Sequence, residues 1–291
     1  MSKTELNKSK EAISNLLPLY LKQASVGKVH SKFNNGLNIQ VDDYLIYLGC
    51  SGMPLAAFGM NIAGEKLKQL LAAVRIGELV VSKENKLIFY SGYGVIPIEY
   101  KDFDAIDLTL PQIKCNINTL SHSQLYQFLE TIAFEKCVGL ELDEKTGKYV
   151  ELLVYGNKTD SKVNSAVINF FAGRGKGLTP SGDDILLGFT LALMSFGEFD
   201  VWKKMLALEV AGDKTTLISV AYLRALLSGY ASEHFIGLIK LLDDADEKAI
   251  EKTINEVRSY GHTSGNDSLF GFFLGLQFLI NQGKQKRRGL N

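Results

Sequence analysis

Two stretches of the chain carry residues whose types and spacing suit chemistry. Gly173–Gly188 reads GRGKGLTPSGDDILLG: Gly173, Gly175 and Gly177 alternate with Arg174 and Lys176, and Thr179-Pro180-Ser181-Gly182 leads into Asp183, Asp184 and an apolar run. Glycines let backbone N–H groups turn inward and approach a ligand closely. A helix beginning at the aspartates adds unpaired N–H donors and a partial positive charge. Together these describe an anion site for phosphate or carboxylate. It is neither a P-loop nor a dinucleotide turn, because the GK[ST] and GxGxxG spacings are absent. Downstream, Gly261-His262-Thr263-Ser264-Gly265-Asn266-Asp267 repeats the pattern once Pro180 is skipped. Thr179 matches Thr263, Ser181 matches Ser264, Gly182 matches Gly265 and Asp184 matches Asp267. Gly188 and Gly271 then fall in register, each inside a run apolar on nearly every side, which means burial. The expectation is a pair of central helices whose N-terminal elbows frame one site.

Both elbows also read as helix caps, in which Ser or Thr caps, Asp favours the dipole and Gly turns the chain. Capping leaves the interleaved glycines and cations of the first elbow unexplained. A third element, Gly212-Asp213-Lys214-Thr215-Thr216, offers the hydroxyls of Thr215 and Thr216 at another helix start, with Ser219 one turn on. His262 sits inside the second elbow, where it suits acid–base work, donation to an oxyanion or a structural hydrogen bond. Asp183, Asp184 and Asp267 form a carboxylate set that magnesium would accept beside a phosphate, though they serve equally as caps. No cofactor is expected beyond that magnesium option. Cys50, Cys115 and Cys137 are odd in number, far apart and without a CxxC, and read as buried hydrophobes. The absence of GxSxG and SxxK gives no sign of a covalent nucleophile.

The elements that must position these residues change character along the chain. Apolar residues at Ile13, Leu16, Leu17, Tyr20 and Leu21 have helical spacing and predict a helix over Glu5–Gln23. Lys28–Val41 alternates around Asn34-Asn35-Gly36, a hairpin signal, and Tyr44–Leu48, Glu78–Val81, Lys86–Tyr90 and Val95–Ile98 are short β-rich runs around a helix at Glu65–Val74. From Ser121, a capping box predicts a helix to about Cys137. Helical periods follow at Lys162–Phe171, Asp183–Phe196, Asp200–Val210, Thr215–Tyr230, Ser232–Leu242, Asp246–Tyr260 and Asp267–Asn281. The fold class is therefore α+β. A small mostly-β domain with its N-terminal helix occupies 1–118, an α-helical bundle with two buried central helices occupies 119–283, and a basic tail occupies 284–291. Of 291 residues, 46% are apolar and 22% charged, which excludes wholesale disorder. Lys+Arg and Asp+Glu are 32 each, so the basic excess of a nucleic-acid binder is missing. The longest apolar runs fall short of a membrane span, and the polar start lacks a secretory signal, so a cytoplasmic protein without membrane contact is expected.

At the two elbows and the Thr-Thr helix start, the chain resembles the AllH family. The likeness is motif-specific over Gly173–Gly275 and architectural before Ser121. It departs at Arg174, where an apolar residue is expected. The resemblance implies a subunit of oxamate carbamoyltransferase, acting in anaerobic allantoin and purine breakdown with FdrA-like (AllF) and AllG subunits. The implied reaction is phosphorolysis of oxalurate to carbamoyl phosphate and oxamate, or its reverse, on small anionic substrates. Under it, Arg174, Gly175, Lys176, Gly177, Thr179, Ser181, Gly182 and Asp183 cradle one anion, and Thr263, Ser264 and Gly265 the other, with Thr215 and Thr216 also binding substrate. Asp184, Asp267 and His262 take the catalytic roles. Two rival readings stand beside it: a non-catalytic carboxylate- or phosphate-binding regulatory subunit, and a magnesium-dependent phosphotransferase.

Overall fold

Alternating apolar residues and tight two-residue turns build the first part of the chain into one curled nine-stranded sheet. The strands are β1 (Ala12–Ser14), β2 (Val26–Phe33), β3 (Gly36–Val41), β4 (Tyr44–Cys50), β5 (Gly59–Ile62), β6 (Leu79–Lys83), β7 (Lys86–Ser91), β8 (Gly94–Glu99) and β9 (Asp104–Ile106). Their order is β8-β7-β6-β2-β3-β4-β5-β1-β9, antiparallel except for β4–β5 and β1–β9. The computed structural model describes residues 10–21, 26–197, 199–211, 213–243 and 245–287. The chain divides into two units: one extends to Thr109 and includes Tyr230–Glu233, and the other comprises the remainder.

In the first unit, Asn34-Asn35 closes the β2–β3 hairpin as expected. Glu84 and Asn85 turn β6 into β7 with φ of 51° and 60°, the left-handed pair that matches strand twist. Helix α2 (Gly64–Ala73) places Leu67 and Leu70 in a core with Val29, Leu37, Ile39, Leu48, Val80, Leu87 and Phe89. The helix expected over Glu5–Gln23 is not what forms within the described residues. Ala12–Ser14 pairs instead with β5 and β9, and only Leu17–Leu21 (α1) is helical. The Ser14 hydroxyl donates to Ala57 O and accepts from Leu16 N, which turns the chain there, and Pro18 disfavours a helical residue before it. Residues 5–9, 22 and 23 lie outside the described residues.

The second unit is helical: α3 (Gln124–Glu130), α4 (Glu144–Tyr155), α5 (Ser161–Phe171), α6 (Ser181–Phe196), α7 (Asp200–Val210), α8 (Leu217–Leu227), α9 (Glu233–Lys240), α10 (Glu247–Arg258) and α11 (Ser264–Arg287). The expected helix from Ser121 to Cys137 breaks into α3 between two 3-10 turns. Its true cap is Ser123, whose side chain accepts from Tyr126 N, and Thr131 ends it by donating to Phe128 O. Helix α4, capped by Asp143, is not marked by periodicity because Gly147 and four charged residues dilute its apolar pattern. Of the basic tail, the helix extends through Arg287 and Lys284 is exposed; the remainder lies outside the described residues.

Helices α6 and α11 are the buried central pair the repeat predicts. A Cβ on Gly188 would stand 1.9 Å from Ser268 O, and one on Gly271 would stand 2.0 Å from Ile185 O. The repeat-related glycines thus seat each helix directly on the other's backbone. Around this crossing Phe189, Leu193, Phe272 and Leu276 are fully buried, and Trp202 packs on Phe189 while donating to the Thr190 hydroxyl. Lys158 is also buried here. Its ammonium donates to Leu152 O and Gly156 O at the end of α4 and faces the rings of Phe189, Trp202 and Phe278 at 5.1–5.6 Å. Burial lowers its pKa to about 8. Among the described residues, no helix is long and apolar enough to cross a membrane.

Candidate functional site

Each elbow is the turn of a helix hairpin, α5–α6 in the first copy and α10–α11 in the second. Gly173 and Gly261 leave the preceding helices with φ of 69° and 68°. Gly182 N donates to Arg174 O at 2.8 Å, and its repeat partner Gly265 N donates to Tyr260 O at 3.0 Å. A Cβ on either glycine would meet the carbonyl of Phe171 or Val257 at 2.0 Å, so both hairpins pinch shut at the same place. Gly182 lies eight positions after Arg174 and Gly265 five after Tyr260, so the first elbow carries the longer loop. The added residues fall within the glycine-rich Gly175–Thr179 segment.

The repeat becomes functional geometry through an exchange of side chains. The Ser264 and Thr179 hydroxyls lie on the Asp184 carboxylate, while those of Thr263 and Ser181 lie on Asp267. Each aspartate at the head of one central helix therefore holds the serine at the head of the other. Thr179 and Ser264 also bond to each other at 2.9 Å. Gly139 N donates to Asp267 Oδ1 at 2.7 Å. A Cβ on Gly139 would stand 2.5 Å from Ser181 Oγ and 2.6 Å from Thr263 Oγ1, so this backbone lies against both hydroxyls. Nothing local in the sequence marks Gly139, a lone glycine in an irregular stretch.

Electrostatically the site is a cluster of carboxyls whose charged forms are penalised. Burial drives the Asp184 pKa well above the ordinary carboxylate range; the Ser264 hydroxyl opposes the shift and the nearby Asp267 and Asp183 carboxylates add to it. Burial raises Asp267 too, against the Gly139 N–H and the Thr263 and Ser181 hydroxyls. One oxygen of each, Asp184 Oδ2 and Asp267 Oδ2, is buried without a hydrogen-bonding partner. Asp183 differs. Its Oδ1 accepts from Gly173 N at 2.8 Å and its Oδ2 from the Thr215 hydroxyl, with burial again raising its pKa. Thr216 caps α8, and its hydroxyl donates to Leu178 O at 2.5 Å, so the Thr-Thr start is tied to the first elbow; Gly212 lies outside the described residues.

The cations divide. Arg174, counted with the anion-binding set from sequence, turns back onto α5: its guanidinium stacks 3.9 Å from the Phe170 ring centroid and Nε donates to Phe170 O. There it serves the C-terminal carbonyls of α5, which accounts for a basic residue at a position where an apolar one was expected. Lys176 is exposed on the loop, as are Gly175 and Gly177, which hold φ of 123° and 92°. No backbone N–H of residues 175–179 donates to a described residue. The α6 terminus itself is less open, because Gly182 N is spent on Arg174 O and Asp183 N on Pro180 O. The free donors belong to the loop more than to the helix end. His262 is exposed just before α11.

Among the described residues, no three His, Cys, Asp or Glu side chains converge at metal-binding spacing. The cysteines are free and half-buried rather than fully buried, with burial raising the Cys115 and Cys137 thiols. Comparison with known families gives two matches. A model described as oxamate carbamoyltransferase subunit AllH matches residues 171–276, and one described as the AllH family N-terminal domain matches residues 9–102. The likeness thus extends into the sheet, beyond the motifs. No solved structure matches the chain.

Proposed function

The chain belongs to the AllH family, and from that premise we propose that it supplies the anion-binding and proton-handling site of an oxamate carbamoyltransferase working on oxalurate, phosphate, oxamate and carbamoyl phosphate. Its partners in this reading are the FdrA-like (AllF) and AllG subunits, and its setting is anaerobic allantoin breakdown. The observation that carries the reading is the orphan oxygen on each of two buried carboxyls. An unpaired buried polar atom costs about 1–3 kcal/mol, and such a cost is retained where it serves a function.

In the direction of carbamoyl transfer, the amide nitrogen of oxamate attacks the carbamoyl carbon. The C–N bond forms, the C–O bond to phosphate breaks, phosphate leaves and the nitrogen loses a proton. No enzyme nucleophile is needed. The loop N–H groups of residues 175–179 and the Lys176 ammonium hold the phosphate dianion. Thr263, Ser264 and Gly265 hold the oxamate carboxylate, and the exposed His262 donates to the carbamoyl oxygen. Asp184, whose proton affinity burial has raised, takes the amide proton on Oδ2 and returns it in the reverse reaction. Asp267 is a positioning residue, holding Ser181, Thr263 and the Gly139 backbone in place. This scheme uses no metal, Asp183 being engaged by Gly173 N–H and Thr215; undiminished activity in a chelator is the outcome it expects.

The test is carbamoyl transfer by the reconstituted complex. Asp184→Asn should lower kcat by about 10²–10⁴-fold with little change in KM, the range of a lost general base. Lys176→Met should instead raise KM for carbamoyl phosphate. A folded Asp184→Asn variant with full activity refutes the assignment. A second reading, a non-catalytic binding or regulatory subunit, draws on the exchange of hydroxyls between elbows, which also makes a purely structural lock. It predicts that Asp184→Asn changes thermal stability and leaves turnover intact.

A further inference from the structure

We propose that the solvent-facing side of the β2-β6-β7-β8 sheet is the contact by which two copies of this chain pair. Strand register places its residues. Val26, Val81, Ile88 and Pro97 lie opposite one another in one row, and Tyr90 and Val95 in the next, beside Leu79. The opposite face carries Val80, Leu87, Phe89 and Ile98 into the core, so this row pattern places apolar side chains on both faces of the same strands. A sheet with one wet face normally alternates apolar with polar. Here most outward positions remain apolar and exposed, Val26 at 54%, Leu79 and Tyr90 at 44% and Val95 at 60%, with the exposed Lys28 opposite Leu79 the charged member of the second row. Ile76 and Tyr93 extend the patch at one end of the sheet. The Glu78 carboxylate joins their two turns by accepting from Arg75 N and Gly92 N.

Area and charge both point to a second copy as the occupant. The exposed fractions of Val26, Ile76, Leu79, Tyr90, Tyr93 and Val95 correspond to roughly 700 Å² of accessible surface, main chain and tyrosine hydroxyls included. Its apolar part lies at the upper end of the ~300–600 Å² of the largest patch on an ordinary monomer. The whole is close to the ~800 Å² that each partner contributes to a standard stable interface. The charges at the margin are of both signs. Lys86 pairs with Glu99 at 2.6 Å and Lys83 with Glu84 at 3.7 Å, so an identical face meets no single-sign field. Two copies related by a twofold would stack sheet on sheet and bury a self-complementary patch. Edge-to-edge addition at β8 fits less well, since Pro97 lacks an N–H and Gly94 bends the edge at φ of 126°.

Analytical ultracentrifugation of the full chain between about 1 and 100 µM tests this, with a mass twice 32.1 kDa expected. Val95→Lys and Leu79→Lys, on different strands of the face, should each weaken dimerisation at least ~10-fold while circular dichroism stays unchanged. Should either fail to fold, Tyr93→Ser, at a residue 78% exposed, provides the same reading. A monomer throughout the range overturns the proposal. So does a dimer that all three variants leave intact. Neither result bears on the elbows, which lie in the other unit.

Discussion

Gly188→Ala perturbs the place where the two central helices touch, and its effect follows from distances. The added methyl would lie 1.9 Å from Ser268 O, 2.7 Å from Phe272 N and 2.8 Å from Ser268 C. All three are backbone atoms of α11, so no side chain can rotate away. Restoring ordinary contact near ~3.4 Å requires the helices to part by roughly 1.5 Å, in a core packed at crystal-like density. That separation loosens Phe189, Phe272 and Leu276, all fully buried. Overpacking typically costs ~1–3 kcal/mol, and a backbone-to-backbone clash places this variant above that range, at about 4 kcal/mol. For a unit of this size, at ~2–4 °C per kcal/mol, the melting midpoint should fall by about 8–16 °C. Thermal and urea denaturation followed by circular dichroism measure it. Gly147→Ala is the internal control: it is helical, in α4, with nothing within 4 Å of a new Cβ, so it should gain ~0.5–1 kcal/mol. A Gly188→Ala midpoint within about 3 °C of the parent refutes the reasoning, because the helices would then tolerate separation that the geometry denies them.

Other outcomes follow from the titrating and capping groups. Asp184 and Asp267 have pKa values raised by burial, so the stability they contribute is complete below the ordinary carboxylate value of 3.8 and is lost as pH rises through their folded values. Asp184→Asn should therefore be more stable than the parent at pH 7 and converge with it near pH 4, by thermal melts across pH; lower stability at pH 7 would show the ionised lock to be a net anchor. His234 is buried with both ring nitrogens unpartnered, stacked 4.6 Å from the Tyr260 ring, and burial lowers its pKa to about 3. Its stabilising contribution is present above 6.5 and lost as pH falls toward 3, so His234→Phe should flatten the acid limb of the melting profile. Replacing the α3 cap, Ser123→Ala, should cost about 1 kcal/mol in urea unfolding, whereas Ser121→Ala, the cap expected from sequence, should cost little.

The sequence by itself carried most features that depend on near neighbours in the chain, helix α4 and the Ser123 cap of α3 being the local ones it did not. Alternation and the Asn34-Asn35 turn specified the first hairpin, helical periods specified α5 through α11, and glycines in register gave the paired central helices. The duplicated elbow was legible too, down to the matched Ser181 and Ser264 and the matched Asp184 and Asp267. What local pattern could not decide was partnership. Ala12–Ser14 becomes a strand because β5 and β9 supply hydrogen bonds that a helix would have made internally, and a three-residue segment has no period of its own. Asp184 finds Ser264 across 80 residues, and Gly139 meets the Ser181 and Thr263 hydroxyls from a loop without a motif. Arg174 was placed by a ring one turn back and not by the loop glycines beside it. The burial that raises the aspartate pKa values likewise comes only from two helices packed backbone to backbone. Side-chain type and spacing set which groups can donate, accept or titrate; the dielectric and the partners that decide whether they do are properties of the assembled fold.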